Sequence, residues 1–354
     1  MINREIGFAI IGTGFISNIH AEAISQIPKA NLVAIASIDE GGVKKFANQY
    51  NVRPYLDHLE MLQREDIDIV CICTPSGLHG DIAMDALRYG KHVIIEKPME
   101  ISLEKADQII NFANEAGLKV AVVSQHRFDP SVIQVKSQID SGRLGKLVMA
   151  EIAVNWYRTQ DYYDNGQWRG TWKMDGGGVL MNQSIHTIDL MQYFMGPVES
   201  VYALVDTLAH ERIEVEDVAA AVVRFKNGAL GTISCTTAAY PGYSNRLELF
   251  GSNGSAVIDA DQLTHLYFKD SENGGVPVND APRENDENPT GAANPMAIKS
   301  DAHRLQFEDM IDSIQTNREP QVNGYEGRKP LEIILAIYKS AREGKSIHLP
   351  SAFV

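Results

Sequence analysis

The stretch AIIGTGFIS, residues 9–17, joins an apolar, strand-like run to a helix pattern through two glycines. Gly12 allows a tight turn, and Gly14 lets the backbone approach a pyrophosphate group at the start of the helix. Ser17 replaces the third glycine of the G-x-G-x-x-G pattern and is small enough for close packing of helix and strand. In the first βα turn of an alternating chain, this pattern predicts a dinucleotide site, and the alternative is a tight turn without a ligand.

The first 124 residues continue this alternation of strands and helices. Amphipathic helix patterns separate short apolar runs, among them NLVAIASI (31–38), DIDIVCIC (66–73), KHVIIE (91–96) and LKVAVVS (118–124). Ser102 is the expected N-cap of the last helix in this series, and Gly117 follows its end. Fully apolar strands of this length predict a parallel sheet with helices on both faces, which is an α/β Rossmann domain over residues 1–124.

The pattern becomes β-rich from residue 125 to residue 354. KLVMAEIAVNWYR (146–158) alternates as a half-buried strand does, and Asn227-Gly228 lies between two further strand-like runs. We expect an α+β domain with a large, open, mainly antiparallel sheet and helices on one face, whose last helix can pack back on the first domain. Because the other face needs a partner, the sheet predicts a homodimer or homotetramer. The polar segment 271–300 is expected to be a loop, either an active-site lid or an insertion.

Composition excludes several classes of protein. With 46 acidic and 32 basic side chains the net charge is −14, and no Lys/Arg-rich block suggests a nucleic-acid partner. No apolar run is long enough to span a membrane, and the three cysteines are too few for a disulfide framework, so we expect a cytoplasmic protein. Cys71 and Cys73 are expected on one face of a strand as core residues, and no metal site is predicted.

HVIIEKPMEI, residues 92–101, begins as a buried strand and stops on Glu96-Lys97-Pro98. A lysine at the carboxyl edge of a parallel sheet lies at the ligand crevice, where its charge can stabilise a developing alkoxide. The alternative is an ordinary surface lysine at a strand end.

GGGVLMNQSIHTIDL, residues 176–190, predicts a helix that follows irregular backbone. Asn182 and His186 are four residues apart and are expected to share one helix face, with Asp189 near it. A histidine with an ordinary pKa of about 6.5 suits proton exchange at neutral pH, although many helix histidines are structural. The preceding segment 155–175 concentrates aromatics and arginines, which can pack on a sugar ring and bind anionic groups, or be core aromatics with surface arginines.

GTGFIS, EKP and GGGVLMNQSIHTIDL, in this order and spacing, resemble the Gfo/Idh/MocA oxidoreductase family over essentially the whole chain. The resemblance implies an NAD(P)-dependent oxidoreductase that transfers a hydride between the nicotinamide and a secondary alcohol or ketone carbon of a sugar, cyclitol or sugar derivative. It also implies that Lys97 and His186 are catalytic: Lys97 binds the reacting oxygen, and His186 removes or returns the alcohol proton. By the same resemblance, Glu96 is expected to hold the strand end and the cofactor. Pro98 is expected to fix the turn, either in the trans form or through a cis bond.

The chain departs from inositol dehydrogenase-like members at Asn182, where they carry an aspartate. Some members that act on UDP-aminosugar uronates are similar to this chain there, so Lys97 and His186 are expected to work without a carboxylate as third member. By the same resemblance, substrate contacts are expected from Asn182, Arg158, Tyr163, Trp168 and Arg127. Cofactor contacts are expected from Gly12, Thr13, Gly14, Phe15, Ile16, Ser37, Asp39, Thr74, Pro75, Ser76, His79, Glu96, Lys97, Gln125, Trp168 and Arg169.

The choice between NAD and NADP stays open in the sequence. Asp39 either binds the ribose hydroxyls, which favours NAD, or caps the next helix, and Lys44 and Lys45 lie close enough in sequence to reach a phosphate. Two other functions are compatible with the fold. One is a glycosidase of the same family that uses NAD for transient oxidation, and the other is a non-catalytic dinucleotide-binding sensor, against which the retained Lys97 and His186 argue.

Overall fold

A computed structural model describes residues 5–166, 168–269 and 300–350 of the chain. These residues form two compact units. The first contains Met1–Gln125 together with Ile298–Arg328, and the second contains His126–Ala297 together with Lys329–Val354. The polar segment predicted to be a loop lies outside the described residues up to residue 299.

The first unit is built on a six-stranded parallel sheet in the order β3-β2-β1-β4-β5-β6. The strands are β1 (Ile6–Ile11), β2 (Ala30–Ala36), β3 (Arg53–Tyr55), β4 (Ile69–Ile72), β5 (His92–Ile95) and β6 (Val120–Val122). All side chains of β1, β4 and β6 are buried, as expected for strands covered on both faces. The order of the strands along the chain reverses between β1 and β4, since β2 and β3 follow on one side of β1 and β4 to β6 follow on the other. Ligands of such sheets bind at that position, beyond the carboxyl ends of the strands.

The helices follow the predicted alternation. In the described ranges they are α1 (Phe15–Ser25), α2 (Glu40–Tyr50), α3 (His58–Leu62), α4 (His79–Arg88), α5 (Leu103–Ala116), α6 (Pro130–Asp140), α7 (Gln160–Asp164), α8 (Ile185–Met195), α9 (Asp301–Thr316) and α10 (Gly324–Glu343). Ser102 caps α5 by accepting a hydrogen bond from the N–H of Lys105, and Gly117 ends it. From α9, Phe307 and Met310 join Phe8 in the apolar core of the first unit.

The second unit contains an eight-stranded mixed sheet in the order β13-β12-β11-β7-β10-β9-β8-β14. Its strands are β7 (Leu147–Asn155), β8 (Val198–Asp206), β9 (Val218–Phe225), β10 (Leu230–Thr236), β11 (Arg246–Gly251), β12 (Gly254–Asp259), β13 (Gln262–Phe268) and β14 (Ile347–His348). Neighbouring strands are antiparallel except β7 and β10, which run parallel with Ile152 beside Ile233. The predicted mainly antiparallel sheet and the hairpin at Asn227-Gly228 are therefore confirmed.

The two faces of this sheet differ in their exposure. Alternate residues of β9 and β10 are buried, and α8 packs on the same side against β7 and β11. On the other face Tyr202, Leu204, Val222 and Leu230 are exposed, and Tyr202 pairs directly with Val222. An open sheet with helices on one face leaves this apolar surface unpaired within the described chain.

The three-residue strand β3 was not expected from the sequence. It contains Pro54, lies at the edge of the first sheet, and is tolerated there because an edge strand leaves one side of its backbone without a ladder partner. The second difference is a π-helical segment, Val179–Ser184, where a regular α-helix was predicted. Among the described residues, no helix combines the length and the apolar character that crossing a membrane requires.

Candidate active site

The glycine turn connects β1 to α1 in the first unit. Gly12 has a φ of +111°, and a Cβ at this position would lie 2.3 Å from the carbonyl oxygen of Cys73, so only glycine fits. Ser17 is fully buried, and its hydroxyl donates to the carbonyl oxygen of Gly12 at 2.9 Å. The serine that replaces the third glycine therefore ties the helix to the turn. Phe15 and Ile16 are half-buried in the first turn of α1.

The end of β2 carries the residues that were expected to select the cofactor. The hydroxyls of Thr13 and Ser37 lie 3.2 Å apart, which joins the glycine turn to the end of β2. Asp39 caps α2 by accepting a hydrogen bond from the N–H of Gly41 at 3.1 Å, the structural task that the sequence left open. Lys44 is ion-paired with Glu40 on the surface of α2 at 2.5 Å.

The carboxyl edge of this sheet presents polar atoms that suit a dinucleotide. In the described part of the chain, Thr74 Oγ1 and Gln125 Oε1 are buried atoms without a hydrogen-bond partner. A Cβ at Gly14 would meet no atom within 4 Å, so the backbone at the start of α1 is open to a ligand. Pro75 is half-buried and Ser76 is buried beside Thr74. Because buried polar groups normally have partners, these residues fit the cofactor that the glycine turn predicts.

His79 was predicted to contact the cofactor, and both of its ring nitrogens lie against backbone carbonyl oxygens. Its side chain is buried, Nδ1 lies 2.8 Å from the carbonyl oxygen of Pro98, and Nε2 lies 2.8 Å from that of Thr74. Both nitrogens are thus occupied by backbone. The ring joins the end of β4 to the turn after β5, and this accounts for a histidine at the start of α4.

Glu96 anchors the turn that presents Lys97. It is buried, its Oε1 lies 2.7 Å from His20 Nε2, and its Oε2 accepts the backbone N–H of Lys97 at 3.2 Å. Burial alone would raise the pKa of Glu96, but the hydrogen bond and charge of His20, with smaller effects of His303 and Lys97, lower it to about 2. An ionised carboxylate therefore connects α1 to the end of β5, and His303 of α9 lies near it.

Lys97 is the accessible side chain in an otherwise buried stretch. From Val93 to Glu100, every residue except Lys97 is buried. The Lys97–Pro98 peptide bond is cis, one of the two forms considered from the sequence. The turn thus exposes the lysine at the carboxyl edge of the sheet, where ligands of this fold bind.

In the second unit, Glu216 holds the start of the segment that carries His186. Its carboxylate accepts hydrogen bonds from the N–H groups of Gly178 and Leu180, both at 2.9 Å, and from the hydroxyl of Tyr338 at 2.8 Å. A Cβ at position 178 would lie 1.8 Å from the carbonyl oxygen of Glu216, which requires the glycine. Burial raises the pKa of Glu216 to about 7 despite these donors. Sequence reasoning missed this residue, because no pattern around position 216 points to a partner 38 residues away.

Asn182 lies in the π-helical segment and His186 lies in the first turn of α8, so the two do not share a face of one regular α-helix as predicted. From Asp175 to Gln192, however, Asn182 and His186 are the two residues that are not buried. Asn182 Nδ2 donates to Asp175 Oδ1 at 2.8 Å. A carboxylate is therefore present behind Asn182, which the sequence analysis did not expect.

The ring of His186 contacts the ring of His126, with centroids 5.2 Å apart and planes at 79°. His126 Nδ1 lies 2.7 Å from Asp129 Oδ2 and 3.7 Å from Asp261 Oδ1. Burial lowers the pKa of His126, but the charges of Asp261, Asp129 and Asp189 together raise it to about 9. The neighbour of His186 is thus a cation at neutral pH.

Two residues that were predicted to bind the substrate belong to the core. Arg127 is 1% exposed and forms a bidentate pair with Asp189, with Nε and Nη2 at 2.8 and 2.6 Å from the two carboxylate oxygens. The hydroxyl of Tyr163 lies 3.2 Å from Thr237 Oγ1, and its side chain is buried. Both side chains therefore have polar partners inside the protein, and their substrate contacts stay predictions.

The aromatic–arginine segment forms a cation–π ladder. The guanidinium carbon of Arg158 lies 5.0 Å from the ring centroid of Trp156 and 5.5 Å from that of Tyr162. The guanidinium carbon of Arg169 lies 4.4 Å from the ring centroid of Tyr162 and 5.5 Å from that of Trp168. Two guanidinium groups thus share one tyrosine ring, and Tyr162, Arg169 and Trp168 are only half-buried.

Two clusters in the described residues have the donor set of a metal site. His20, Glu96 and His303 form one, and His126, Asp129 and Asp261 form the other, with ligand atoms within 4.8 Å of one another. In each, a histidine and a carboxylate already lie at 2.7 Å, the distance of a hydrogen bond between them.

The comparisons with known proteins agree with this architecture. Residues 6–124 match the model of the GFO/IDH/MocA oxidoreductase family with an NAD-binding Rossmann fold, and residues 132–257 match its C-terminal domain. The chain is 30% identical over 277 residues to the oxidoreductase YrbE of Bacillus subtilis, covering 74% of this chain and 76% of that protein. It is 27% identical to myo-inositol 2-dehydrogenase of Thermotoga maritima, covering 96% of this chain and 97% of the relative.

Among solved structures, the WlbA dehydrogenase from Bordetella pertussis, in complex with NADH and UDP-GlcNAcA, is similar with a TM-score of 0.86. The identity is 34%, and the match covers 99% of this chain and 100% of WlbA. Together with the matched family models, this similarity extends over both units of the chain. The protein is a member of the Gfo/Idh/MocA family of NAD-binding oxidoreductases.

Proposed function

We propose that this oxidoreductase uses NAD⁺ to oxidise a secondary hydroxyl of an anionic nucleotide sugar, and that UDP-linked sugar uronates are its substrate class. The observation that carries the proposal is the ladder in which Arg158 and Arg169 share the ring of Tyr162. Gln183 Nε2 donates to the hydroxyl of Tyr162 at 3.3 Å, which connects the ladder to the segment that carries Asn182 and His186. Guanidinium groups suit carboxylate and diphosphate groups, and a uronate nucleotide carries both. Arg169 is the half-buried guanidinium of the two, whereas Arg158 is buried behind the shared ring.

The relatives support this class. WlbA was solved with UDP-GlcNAcA, and an Asn at position 182 separates this chain from the inositol dehydrogenase-like pattern. A sugar or cyclitol without charge is the broader alternative, because inositol and apiose dehydrogenases are also similar over most of this chain.

The proposed chemistry assigns one task to each accessible side chain. NAD⁺, when bound, supplies the hydride acceptor. We assign to Lys97 a hydrogen bond to the reacting hydroxyl oxygen, where its cation stabilises alkoxide charge as the carbon is oxidised. We assign to His186 the removal of the hydroxyl proton. Glu96 holds the backbone of Lys97, and no carboxylate of the chain has to accept the proton.

We also propose that NAD is preferred over NADP. The acidic side chains Asp39 and Glu40 follow the end of β2, where a 2′-phosphate would add negative charge. Lys44, one of the two lysines that could reach that phosphate, is ion-paired with Glu40.

The test is an assay of UDP-GlcNAcA, a neutral cyclitol and a sugar panel with NAD⁺ and NADP⁺, followed by NADH or NADPH absorbance. We expect turnover of the uronate with NAD⁺. Lys97→Ala and His186→Ala should each lower kcat by at least about a hundredfold and change the Kd for NADH by less than about threefold. Lys105→Ala and His265→Ala, outside the two motifs, are the matched controls.

The outcomes separate the alternatives. Near-wild-type turnover of both variants would contradict the assigned roles. Cleavage of aryl glycosides without net NADH would favour the glycosidase, and tight NADH binding without turnover of any substrate would favour the sensor.

We further propose that the exposed face of the eight-stranded sheet joins copies of this chain into a homodimer or homotetramer. Adjacent strands of that face expose four large apolar side chains, those of Tyr202, Leu204, Val222 and Leu230. Single exposed apolar residues are common on protein surfaces, but a contiguous group of them marks an interaction surface.

A further inference from the structure

Gln183 is a buried polar residue in the π-helical segment Val179–Ser184, directly after the half-buried Asn182. Its side chain is 5% exposed. A glutamine amide carries an acceptor oxygen and an NH₂ group that donates, and each of these atoms is costly to bury without a partner. The partners of this amide therefore indicate what the residue serves.

The two ends of the Gln183 amide differ in their surroundings. Nε2 donates to the hydroxyl of Tyr162 at 3.3 Å, whereas Oε1 is buried and has no hydrogen-bond partner among the described residues. Buried polar atoms of proteins normally have partners. Oε1 is therefore an acceptor that suits a hydrogen-bond donor of a bound ligand.

Tyr162 determines which end of the amide is available. Burial, opposed mainly by the charge of Arg169, raises the pKa of its phenol, so Tyr162 is neutral at neutral pH. The phenol oxygen accepts Nε2 of Gln183 and also a hydrogen bond from Arg158, whose guanidinium group can only donate. With its NH₂ group directed at the phenol, the amide directs its carbonyl oxygen away from Tyr162.

The same phenol belongs to the cation–π ladder, in which Arg169 lies 4.4 Å from the ring centroid of Tyr162 and is half-buried. Its guanidinium group suits an anionic group of a ligand. Oε1 of Gln183 repels such a group, because an anionic oxygen carries no hydrogen to donate. The ladder thus offers two different contacts, one for an anion at Arg169 and one for an uncharged donor at Gln183.

We propose that Gln183 is a specificity-determining residue, whose Oε1 accepts a hydrogen bond from an uncharged donor of the substrate's sugar, the N–H of an acylamino group or the O–H of a ring hydroxyl. Tyr162 is the positioning residue that orients the amide. The inference rests on the proposed function, since it concerns how that site reads an anionic nucleotide sugar. A ligand without this donor leaves Oε1 buried and unpaired, and a site built around such a contact rejects it.

Gln183→Met tests the contact, because methionine is of similar length and lacks both polar atoms of the amide. Gln183→Leu, which also lacks them, is the second variant. Tyr162→Phe is the matched comparison: it removes the hydrogen bond between the two side chains but keeps the ring and the amide of Gln183. Gln108→Met, at an exposed position of α5, is the control.

Each variant is measured for the Kd of UDP-GlcNAcA, UDP-glucuronate and UDP in the presence of NADH. The kcat and KM for UDP-GlcNAcA, the Kd for NADH and Tm are measured in parallel. The NADH affinity and Tm show whether a variant is folded.

We expect Gln183→Met to raise the Kd for UDP-GlcNAcA by about tenfold, and the Kd for UDP, which has no sugar, by less than about twofold. Tyr162→Phe should raise the Kd for UDP-GlcNAcA by less than Gln183→Met does, because the acceptor is kept and loses only its fixed orientation. UDP-glucuronate carries a hydroxyl in place of the acetamido group and identifies the donor. A similar loss with this ligand assigns the contact to a hydroxyl, and a loss confined to UDP-GlcNAcA assigns it to the acetamido N–H.

A role confined to the fold gives a different result. If Gln183 serves only to join its segment to Tyr162, then Gln183→Met and Tyr162→Phe, which remove the same hydrogen bond, should weaken binding of UDP-GlcNAcA and UDP alike, and this overturns the inference. An unchanged Kd for UDP-GlcNAcA in the folded Gln183 variants also overturns it.

Separate measurement of binding distinguishes the two proposals. A wild-type chain that binds UDP-GlcNAcA but does not oxidise it contradicts the proposed function alone, and the Kd values of the variants then decide the inference. A wild-type chain that does not bind UDP-GlcNAcA overturns both.

Discussion

At the scale of single residues, exposure separates the side chains that can act on a ligand from those that hold the protein together. Lys97, Asn182 and His186 are each accessible within a buried stretch, and all three were predicted from motifs. Arg127 and His79 are of equally suitable chemical type but are buried and occupied by protein partners. A sequence shows the type of side chain directly and its burial only where a regular pattern reveals it.

Glu96 predicts how stability depends on pH. Its pKa is lowered from 4.5 to about 2 in the folded protein. A depressed pKa contributes stability that is complete above the unfolded value and is lost as pH falls from 4.5 toward 2. We expect Glu96→Gln to reduce the free energy of unfolding at neutral pH by roughly 3 kcal/mol, because it leaves His20 without its charged partner.

The same variant should flatten the pH dependence of stability in that acidic window. Urea unfolding of wild type and Glu96→Gln at a series of pH values measures both effects. Glu104→Gln, an exposed glutamate in the first turn of α5, is the control. If the free energy of unfolding of Glu96→Gln falls with pH as steeply as that of wild type and of Glu104→Gln, the assigned role of Glu96 is wrong.

At the scale of elements, the segment that carries the site begins in a conformation that the hydrophobic pattern does not reveal. Val179–Ser184 is π-helical, and its first N–H groups donate to Glu216 rather than to a side chain of the segment itself. Helix starts need acceptors for such N–H groups, and here a distant residue of the connection before β9 provides them.

Glu216→Gln tests this anchor. The glutamine keeps the size of the side chain but replaces one acceptor oxygen with an NH₂ group, so one buried donor loses its acceptor. We expect a loss of roughly 1–3 kcal/mol in the free energy of unfolding. We also expect a larger fall in kcat than in the affinity for NADH, because the segment that carries His186 is disturbed and the glycine turn of the first unit is not.

Glu211→Gln, an exposed glutamate of the same connection, controls for the loss of charge. Thermal unfolding and steady-state kinetics of the two variants give the comparison. Equal Tm values and equal kcat for both would show that the carboxylate of Glu216 does not hold the segment.

At the scale of the whole molecule, the open face of the eight-stranded sheet predicts the oligomeric state. Leu204 and Val222 are 64% and 55% exposed on neighbouring strands, and burial of such apolar surface between copies would stabilise an assembly. Leu204→Lys together with Val222→Lys should shift the protein toward the monomer, measured by sedimentation velocity or light scattering. Leu59→Lys, on α3 of the first unit, should leave the mass unchanged.

A monomeric wild-type protein would contradict this prediction, as would an unchanged assembly in the double variant. Retained NADH binding by the double variant shows that it is folded.

The sequence by itself determined the types and order of most elements, the parallel and the mainly antiparallel sheet, the glycine turn and the lysine at the end of β5. These features follow from local periodicity and from the special backbone chemistry of glycine and proline, which neighbouring residues reveal. Only the tertiary structure decided which polar side chains are occupied. Arg127 and Asp189 are 62 residues apart, and Glu216 and Tyr338 are 122 residues apart. A hydrogen bond between such distant residues leaves no local pattern, yet it decides whether a charged side chain holds the fold or remains available to a substrate.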